Sequence, residues 1–222
     1  MENLLSKLAD CIEFGKINKP SPYPPNMKDM DGADELTQQA INSGISANEI
    51  LSRGLMSGME KVGVKFRENK VFVPQVLMSA KAMGASMAHL KPFFASGEAK
   101  LRGTFIIGTV KGDLHDIGKN LVAMMLEGNG YKVIDLGTDV EASKFIEAVD
   151  NNPEAFVGLS ALLTTTMHSM EKIAREIKEV HPKTIIAVGG APVNDEFCKR
   201  IGADAYSPDP QGLVEFLNKI AS

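Results

Sequence analysis

The sequence predicts an α/β protein in which an N-terminal four-helix bundle precedes a flavodoxin-like, doubly wound five-stranded parallel sheet. Up to about residue 95 the apolar residues recur at helical spacing, and from Gly103 onward short apolar runs alternate with helical segments. Apolar strands that are separated by helices are typical of a parallel sheet covered on both faces. We therefore expect a helical domain over residues 1–95, a linker over 96–102 and a sheet domain over 103–222.

Length, charge and cysteine content exclude several classes of protein. The 222 residues suffice for two small domains, and the net charge of −4 argues against nucleic acid as a partner, because phosphate binding needs a basic surface. We find no apolar run of 18 residues and no basic start of a signal peptide, which predicts a cytoplasmic protein without a membrane span. Cys11 and Cys198 lie far apart, which predicts neither a disulfide framework nor a zinc finger.

Four helices are expected in the first domain. Ser46 with Glu49 three residues later is a capping box that opens the third helix, and Pro74 suits the first turn of the fourth. Between the first two helices, four prolines at positions 20–25 favour an extended path, so the conformation of segment 19–32 stays open. The expected helices cover about 4–14, 34–44, 46–62 and 74–89.

Five strands are expected in the second domain. In a flavodoxin-like sheet, ligands bind at the carboxyl ends of the strands, near the point where the strand order reverses. The segments between the strands carry helical patterns, such as 117–127 and 167–180. The expected strands are 104–110, 131–137, 155–162, 184–190 and 203–207.

A DxHxxG pattern follows the first of these strands. It is formed by Asp113, His115 and Gly118 within VKGDLHDIGKN. Asp113 can accept a hydrogen bond from one ring nitrogen of His115, which leaves the other nitrogen for a metal. Gly118 lacks a side chain, so a large planar ligand or its tail can approach. The alternative is that Asp116 merely caps a helix and His115 is an ordinary loop residue.

Two further features fall at strand ends that should face the same crevice. The third strand ends in Ser160-Ala161-Leu162 and the fourth in Gly189-Gly190. DxHxxG, then SxL, then GG is similar to the cobalamin-binding modules of methionine synthase, the corrinoid methyltransferases and the B12-dependent mutases. The preceding helical bundle resembles the cap of the methyl-transfer branch rather than the partner domains of the mutases. The proline-rich segment 19–32 and LLTTTM (162–167) resemble stand-alone carriers of methanol, methylamine and aryl-ether demethylation systems.

This resemblance implies a cofactor and a set of residues around it. The cofactor would be cobalamin in the base-off, His-on form, with His115 as the lower ligand of cobalt and Asp113 hydrogen-bonded to it. Thr166 would be the third member of that relay, and Phe66 and Val73 of the helical cap would lie above the methyl group. The remaining implied cofactor-binding residues are Gly118, Ser160, Leu162, Thr164, Gly189 and Gly190.

The resemblance also implies a function. The chain, non-catalytic alone, would carry a methyl group from a substrate:corrinoid methyltransferase to a corrinoid:tetrahydrofolate or thiol methyltransferase, served by a corrinoid reductive activase. The proline-rich segment 19–32 resembles that of carriers that serve methoxylated aromatics, so O-demethylation is the favoured reaction. A cobalamin-binding sensor or storage protein is the alternative, although an output domain would then be expected. A flavodoxin-like domain without a cofactor is disfavoured because the motif residues are intact, and dehydrogenases and nucleotide hydrolases because their glycine-rich motifs are absent.

Overall fold

Residues 2–220 are described by the structure, a computed structural model, and they form two compact units. The first unit comprises the residues up to Leu101 together with Gly128–Gly130, and the second comprises Arg102–Glu127 and the residues from Tyr131 onward. The first unit is helical and the second contains a five-stranded parallel sheet, so the predicted fold class is confirmed.

The first unit follows the helical spacing of its apolar residues. The third predicted helix is continuous but contains a π-helical segment, and the hydroxyl of Ser46 accepts a hydrogen bond from the Glu49 N–H at its start. Within 2–220, no helix is long and apolar enough to cross a membrane. The elements are α1 (Glu2–Phe14), α2 (Ala33–Asn42), α3 (Ala47–Glu49), the π-helical segment (Ile50–Met56), α4 (Ser57–Arg67) and α5 (Val73–Ser96).

The fourth helix is longer than predicted. Its expected end at His89 is wrong, because α5 continues through Pro92 to Ser96, the first residue of the predicted linker. Pro92 costs the helix one backbone hydrogen bond, but the extra turns bury Leu90 completely. Gly97, in the left-handed conformation with φ +80°, ends the helix instead.

The proline-rich segment packs onto the helical unit. Lys16 is fully buried, and its Nζ donates hydrogen bonds to the carbonyls of Ser21 at 2.7 Å and Lys19 at 3.4 Å. A short 3-10 turn, Pro25–Met27, follows these contacts. The ammonium therefore fixes the start of a segment whose composition alone left its path open.

The second unit alternates strands and helices as predicted. The predicted bounds of α8 are confirmed. The first strand has its predicted length but begins and ends one residue earlier, and the other four strands are two or three residues shorter than expected. The strands are β1 (Gly103–Thr109), β2 (Tyr131–Asp135), β3 (Phe156–Ser160), β4 (Ile186–Gly189) and β5 (Ala205–Tyr206). The helices are α6 (Ile117–Gly128), α7 (Ala142–Asp150), α8 (Met167–Val180), α9 (Asp195–Arg200) and α10 (Pro210–Ile220).

All strand pairs are parallel and their order is β2-β1-β3-β4-β5. This is the flavodoxin-like order, in which the chain reverses direction across the sheet between β1 and β3. Both faces are covered, because Ile106 packs into a core with α7 and α8 while its neighbours Phe105 and Ile107, which point the other way, are buried as well.

The register brings the ends of three neighbouring strands to one line. Thr109 of β1 pairs with Ser160 of β3, and Ser160 pairs with Gly189 of β4. Because these are the last residues of parallel strands, the loops that follow them leave the sheet at the same edge. That edge, at the β1/β3 reversal, is where such sheets bind ligands.

Candidate functional site

His115 lies in the loop between β1 and α6, at the carboxyl edge of the sheet. Its Nδ1 is 2.7 Å from Oδ1 of Asp113, and half of its side chain is exposed. The buried hydroxyl of Thr109, the last residue of β1, donates to the His115 carbonyl at 2.8 Å. The imidazole is thus held at one nitrogen and at its backbone, and Nε2 makes no hydrogen bond within residues 2–220.

The Asp113 side chain is completely buried, and its carboxylate accepts five hydrogen bonds. Oδ1 accepts from the ring and the backbone N–H of His115, and Oδ2 accepts from the N–H groups of Leu162 and Leu163 and from the Thr166 hydroxyl. Burial alone would raise the pKa of Asp113, but these hydrogen bonds outweigh it and hold that pKa well below its ordinary value. An ionised carboxylate only accepts hydrogen bonds, so the proton of the neutral imidazole must lie on Nδ1 and the lone pair on Nε2.

Thr166 connects this carboxylate to the loop after β3. Its hydroxyl is 2.8 Å from Oδ2 of Asp113 and 2.9 Å from the Leu163 carbonyl. A hydroxyl has one proton, and the carboxylate is the stronger acceptor. The Leu163 carbonyl also accepts from the Thr166 N–H at 3.1 Å, so it stays satisfied. The hydroxyl is therefore assigned to Asp113.

Exposed apolar side chains flank His115. Leu114 is 73% exposed and Ile117 76%, and after β3 Leu162 and Leu163 are each more than 40% exposed. Of these four residues, only Leu162 is predicted from the sequence, because helical or strand periodicity does not show whether a loop leucine is exposed. Four large apolar side chains around one exposed imidazole form a surface that a ligand with an apolar face would cover.

The glycines near this edge differ in what they permit. A Cβ added to Gly118 or to Gly189 would meet no heavy atom within 4 Å, so both positions border open space. Gly190 is different, because its φ is +124° and a Cβ there would lie 1.8 Å from the Ala161 carbonyl oxygen. The backbone itself requires glycine at 190, whereas 118 and 189 leave room for a ligand.

The other predicted residues are less directly connected to His115. Ser160 is half-buried at the end of β3, where its carbonyl accepts from the Val110 N–H at 3.0 Å, and Thr164 is exposed. In the helical unit, Val73 is the first residue of α5 and is 37% exposed, while Phe66 in α4 is half-buried.

His168 borders a separate open groove. It lies in α8 and lines a space of about 500 Å³ together with Lys111, Glu141 and Lys172. None of the hydrogen bonds of Asp113 comes from His168. His168 therefore does not help to hold the carboxylate that orients His115.

The donor set itself restricts which metal group would fit. No cluster of three or more histidine, cysteine, aspartate or glutamate side chains that could hold a metal ion occurs within residues 2–220. At His115 the protein offers a single imidazole nitrogen, so the other ligands must belong to the incoming group. A metal already held in a macrocycle, with an apolar rim and one open axial position, fits this arrangement.

Comparison with known protein families identifies such a group. The model of the B12 binding domain matches residues 103–212, and a second B12 binding domain model matches residues 29–91. The dimethylamine corrinoid protein of Methanosarcina barkeri is 40% identical over 96% of this chain and 95% of its own length. A corrinoid protein of Desulfitobacterium hafniense (strain Y51) is 38% identical over 86% of this chain and 91% of its own length.

Solved structures agree with these similarities. The methanol:cobalamin methyltransferase complex of Methanosarcina barkeri matches with a TM-score of 0.81 and 30% identity, over 99% of this chain and 80% of that one. A cobalamin-binding protein from Desulfitobacterium hafniense DCB-2 matches with a TM-score of 0.75 and 27% identity, over 97% of both chains. The resemblance seen in the sequence is thus confirmed, and the chain belongs to the family of B12-binding corrinoid proteins, with a corrinoid as its cofactor.

Proposed function

We propose that this chain is a methyl carrier, which receives a methyl group from one methyltransferase and delivers it to another. The observation that carries the proposal is the exposed His115 imidazole, oriented by a buried and ionised Asp113 and surrounded by apolar side chains. When bound, the corrinoid supplies the cobalt that accepts and gives up the methyl group. The chain alone needs no further catalytic residue, because binding and orientation are its whole task.

His115 is the proposed lower ligand of a base-off cofactor. Asp113 holds the Nδ1 proton, so Nε2 presents its lone pair to the metal. The five hydrogen bonds to Asp113 keep that carboxylate ionised, so Asp113 would hold His115 in this orientation whether or not Nε2 binds the metal.

The remaining predicted residues have proposed roles in binding. The cofactor tail passes the open positions at Gly118 and Gly189, near Ser160, Leu162 and Thr164, while Gly190 keeps the backbone in its required conformation. In the helical unit, the half-buried Phe66 and the exposed Val73 are the residues that we propose to exclude water from the methyl group.

Two donor classes are proposed, each from a different observation. The proline-rich segment favours methoxylated aromatics, which would make the chain part of an O-demethylase system. The similarity to trimethylamine and dimethylamine corrinoid proteins, together with the methanol complex, favours methylamines or methanol. In either case the proposed partners are a donor-specific methyltransferase, a methyltransferase acting on tetrahydrofolate or a thiol, and a reductive activase.

Electron paramagnetic resonance tests the ligand assignment. The protein is reconstituted with hydroxocobalamin, reduced to cobalt(II), and compared with protein containing nitrogen-15 histidine. We expect a nitrogen splitting that changes with the isotope and disappears in His115→Ala, while His168→Ala keeps it. A spectrum insensitive to both the isotope and the His115 substitution would show that His115 is not the ligand.

Methyl transfer tests the carrier role. The holoprotein is reduced chemically to cobalt(I) and mixed separately with methyltransferases specific for trimethylamine, dimethylamine, methanol or a methoxylated aromatic, and methylation is followed by the optical spectrum. Transfer from one donor class identifies the partner. Tight cobalamin binding without transfer from any donor would favour a sensor or storage protein.

A further inference from the structure

The loop that carries His115 is bound at both ends by carboxylates that lie at the end of β2 and in the loop after it. Asp135 is the last residue of β2, and Asp139 lies four residues later in the loop that leads to α7. Neither was singled out in the sequence, because both belong to an unremarkable stretch, DLGTD. Their contacts reach residues on either side of His115.

Asp139 holds the beginning of the His115 loop. Its Oδ1 accepts a hydrogen bond from the Gly112 N–H at 2.8 Å, and its own N–H donates to the Asp113 carbonyl at 3.0 Å. One residue thus binds the backbone on both sides of the Gly112–Asp113 peptide. Asp139 does this in the left-handed conformation, with φ +56°, which aspartate and asparagine tolerate better than other residues that have a Cβ.

Asp135 holds the end of the loop through Lys119. The Lys119 side chain is almost fully buried, and its Nζ donates to Oδ2 of Asp135 and, at 2.7 Å, to Oδ1 of Asn120. Asn120 in turn donates to Oδ2 of Asp116, the residue after His115, at 3.0 Å. A buried ammonium requires such partners, so the first turn of α6 is fixed against the end of β2.

These contacts matter because the protein offers only one ligand atom. The position of Nε2 depends on the backbone between Asp113 and α6, and a displacement of about 1 Å is enough to impair a functional contact of this kind. We propose that Asp135 and Asp139 are positioning residues, which hold the His115 loop from its two ends so that Nε2 meets the cobalt. This inference rests on the proposed role of His115.

Three substitutions of Asp139 separate its contributions. Asp139→Asn keeps both an acceptor and a tolerance for positive φ, Asp139→Gly keeps only the tolerance, and Asp139→Ala loses both. We expect the ratio of His-on to His-off cobalt(II) in the paramagnetic resonance spectrum to stay near wild type in the Asn variant. It should fall about tenfold or more in the Gly and Ala variants.

The second carboxylate is tested without leaving a buried charge unpaired. Lys119→Met combined with Asp135→Asn removes both charges together, and a fall in the His-on fraction is again expected. Asp195→Asn serves as the control, because Asp195 is an exposed carboxylate of α9 that pairs with the exposed Lys199. It should leave the spectrum unchanged.

A measurement on the apoprotein keeps this test separate from the proposed function. The amide hydrogens of His115 and Leu162 both bind Asp113, so their exchange with deuterium reports the order of the loop without a cofactor. Faster exchange in Asp139→Gly and Asp139→Ala, restored in Asp139→Asn, supports the inference. Wild-type exchange and a wild-type His-on fraction in the Gly variant would overturn it, even if the Ala variant fails to fold. Absence of a His115-dependent signal in the wild-type protein would instead overturn the proposed function.

Discussion

The hydroxyl of Thr166 donates to Oδ2 of Asp113 across 53 positions of the chain, at a distance of 2.8 Å. This bond joins the loop after β1 to the loop after β3, the two strands between which the sheet order reverses. A single buried carboxylate therefore determines both the orientation of the imidazole and the packing of the second loop.

The depressed pKa of Asp113 makes the stability of the apoprotein pH-dependent. This pKa is lower in the folded chain than in the unfolded one, where it lies near 3.8. The carboxylate therefore stabilises folding above that pH, and this contribution is lost as the pH falls toward the folded pKa. Asp113→Asn should lower the free energy of unfolding by about 2 kcal/mol at pH 7, and the difference should shrink below about pH 4.

Urea denaturation at several pH values measures this difference. The exposed Asp195→Asn variant is the control and should differ from wild type by no more than about 0.5 kcal/mol. A difference between wild type and Asp113→Asn that stays constant from pH 7 to pH 3 would contradict the assigned direction of the pKa shift.

The hydroxyl of Thr166 should matter more than its methyl group. Thr166→Val keeps the shape but removes a donor from a buried carboxylate, which we expect to cost about 2 kcal/mol of unfolding free energy. Thr166→Ser keeps the donor and loses one methyl group, so about 0.8 kcal/mol is expected. Thermal denaturation of the apoproteins ranks the two, and the reverse order would show that the hydrogen bond contributes little.

Replacement of glycine by alanine should change the stability of the apoprotein differently at positions 118 and 190. Gly118 borders open space on α6, so Gly118→Ala should leave the apoprotein unchanged or stabilise it by up to about 1 kcal/mol. Its affinity for cobalamin, measured by titration calorimetry, should nevertheless fall. Gly190→Ala should cost about 3 kcal/mol or more, because of its positive φ and the collision with the Ala161 carbonyl. Unchanged cobalamin affinity in Gly118→Ala would remove this glycine from the binding surface.

The two thiols should be inert while the chain is folded. Both cysteines are free and buried, and burial raises the pKa of Cys11 to about 12 and also raises that of Cys198. Since the thiolate is the reactive form, labelling by a disulfide reagent at pH 8 should be slow. It should become fast for both thiols in guanidinium chloride. Rapid labelling of the native protein would show that this burial is incomplete.

Val73 offers a test of the proposed apolar cover. Val73→Ser should leave the stability of the apoprotein within about 0.5 kcal/mol, because the side chain is 37% exposed. If Val73 shields the position of the methyl group, it should also shield the reduced cobalt. The cobalt of the reduced holoprotein should then be oxidised several-fold faster in Val73→Ser than in the wild type. Val180→Ser is the matched control, because Val180, the last residue of α8, is also exposed, at 55%. Equal oxidation rates in both variants would exclude a role for Val73.

Local patterns in the sequence predicted most of the fold. The helical spacing of apolar residues predicted the correct bounds of α8, and the apolar runs located all five strands. Both signals come from residues that are close together in the sequence. The end of α5 was missed because Pro92 is a strong local stop signal, which the burial of Leu90 overrides. Local propensity is a weak prior wherever tertiary burial opposes it.

By itself, the sequence determined the pairing of Asp113 with His115, since two residues that close in a loop are within reach of each other whatever the rest of the chain does. It also determined the family, through motifs at three strand ends. Only the tertiary structure decided that Leu162, Leu163 and Thr166 donate to Asp113, that Asp139 holds the same loop, and that Leu114 and Ile117 are exposed. These relationships depend on the register of β1 against β3 and β2, which is set by burial across the whole sheet and not by any single segment.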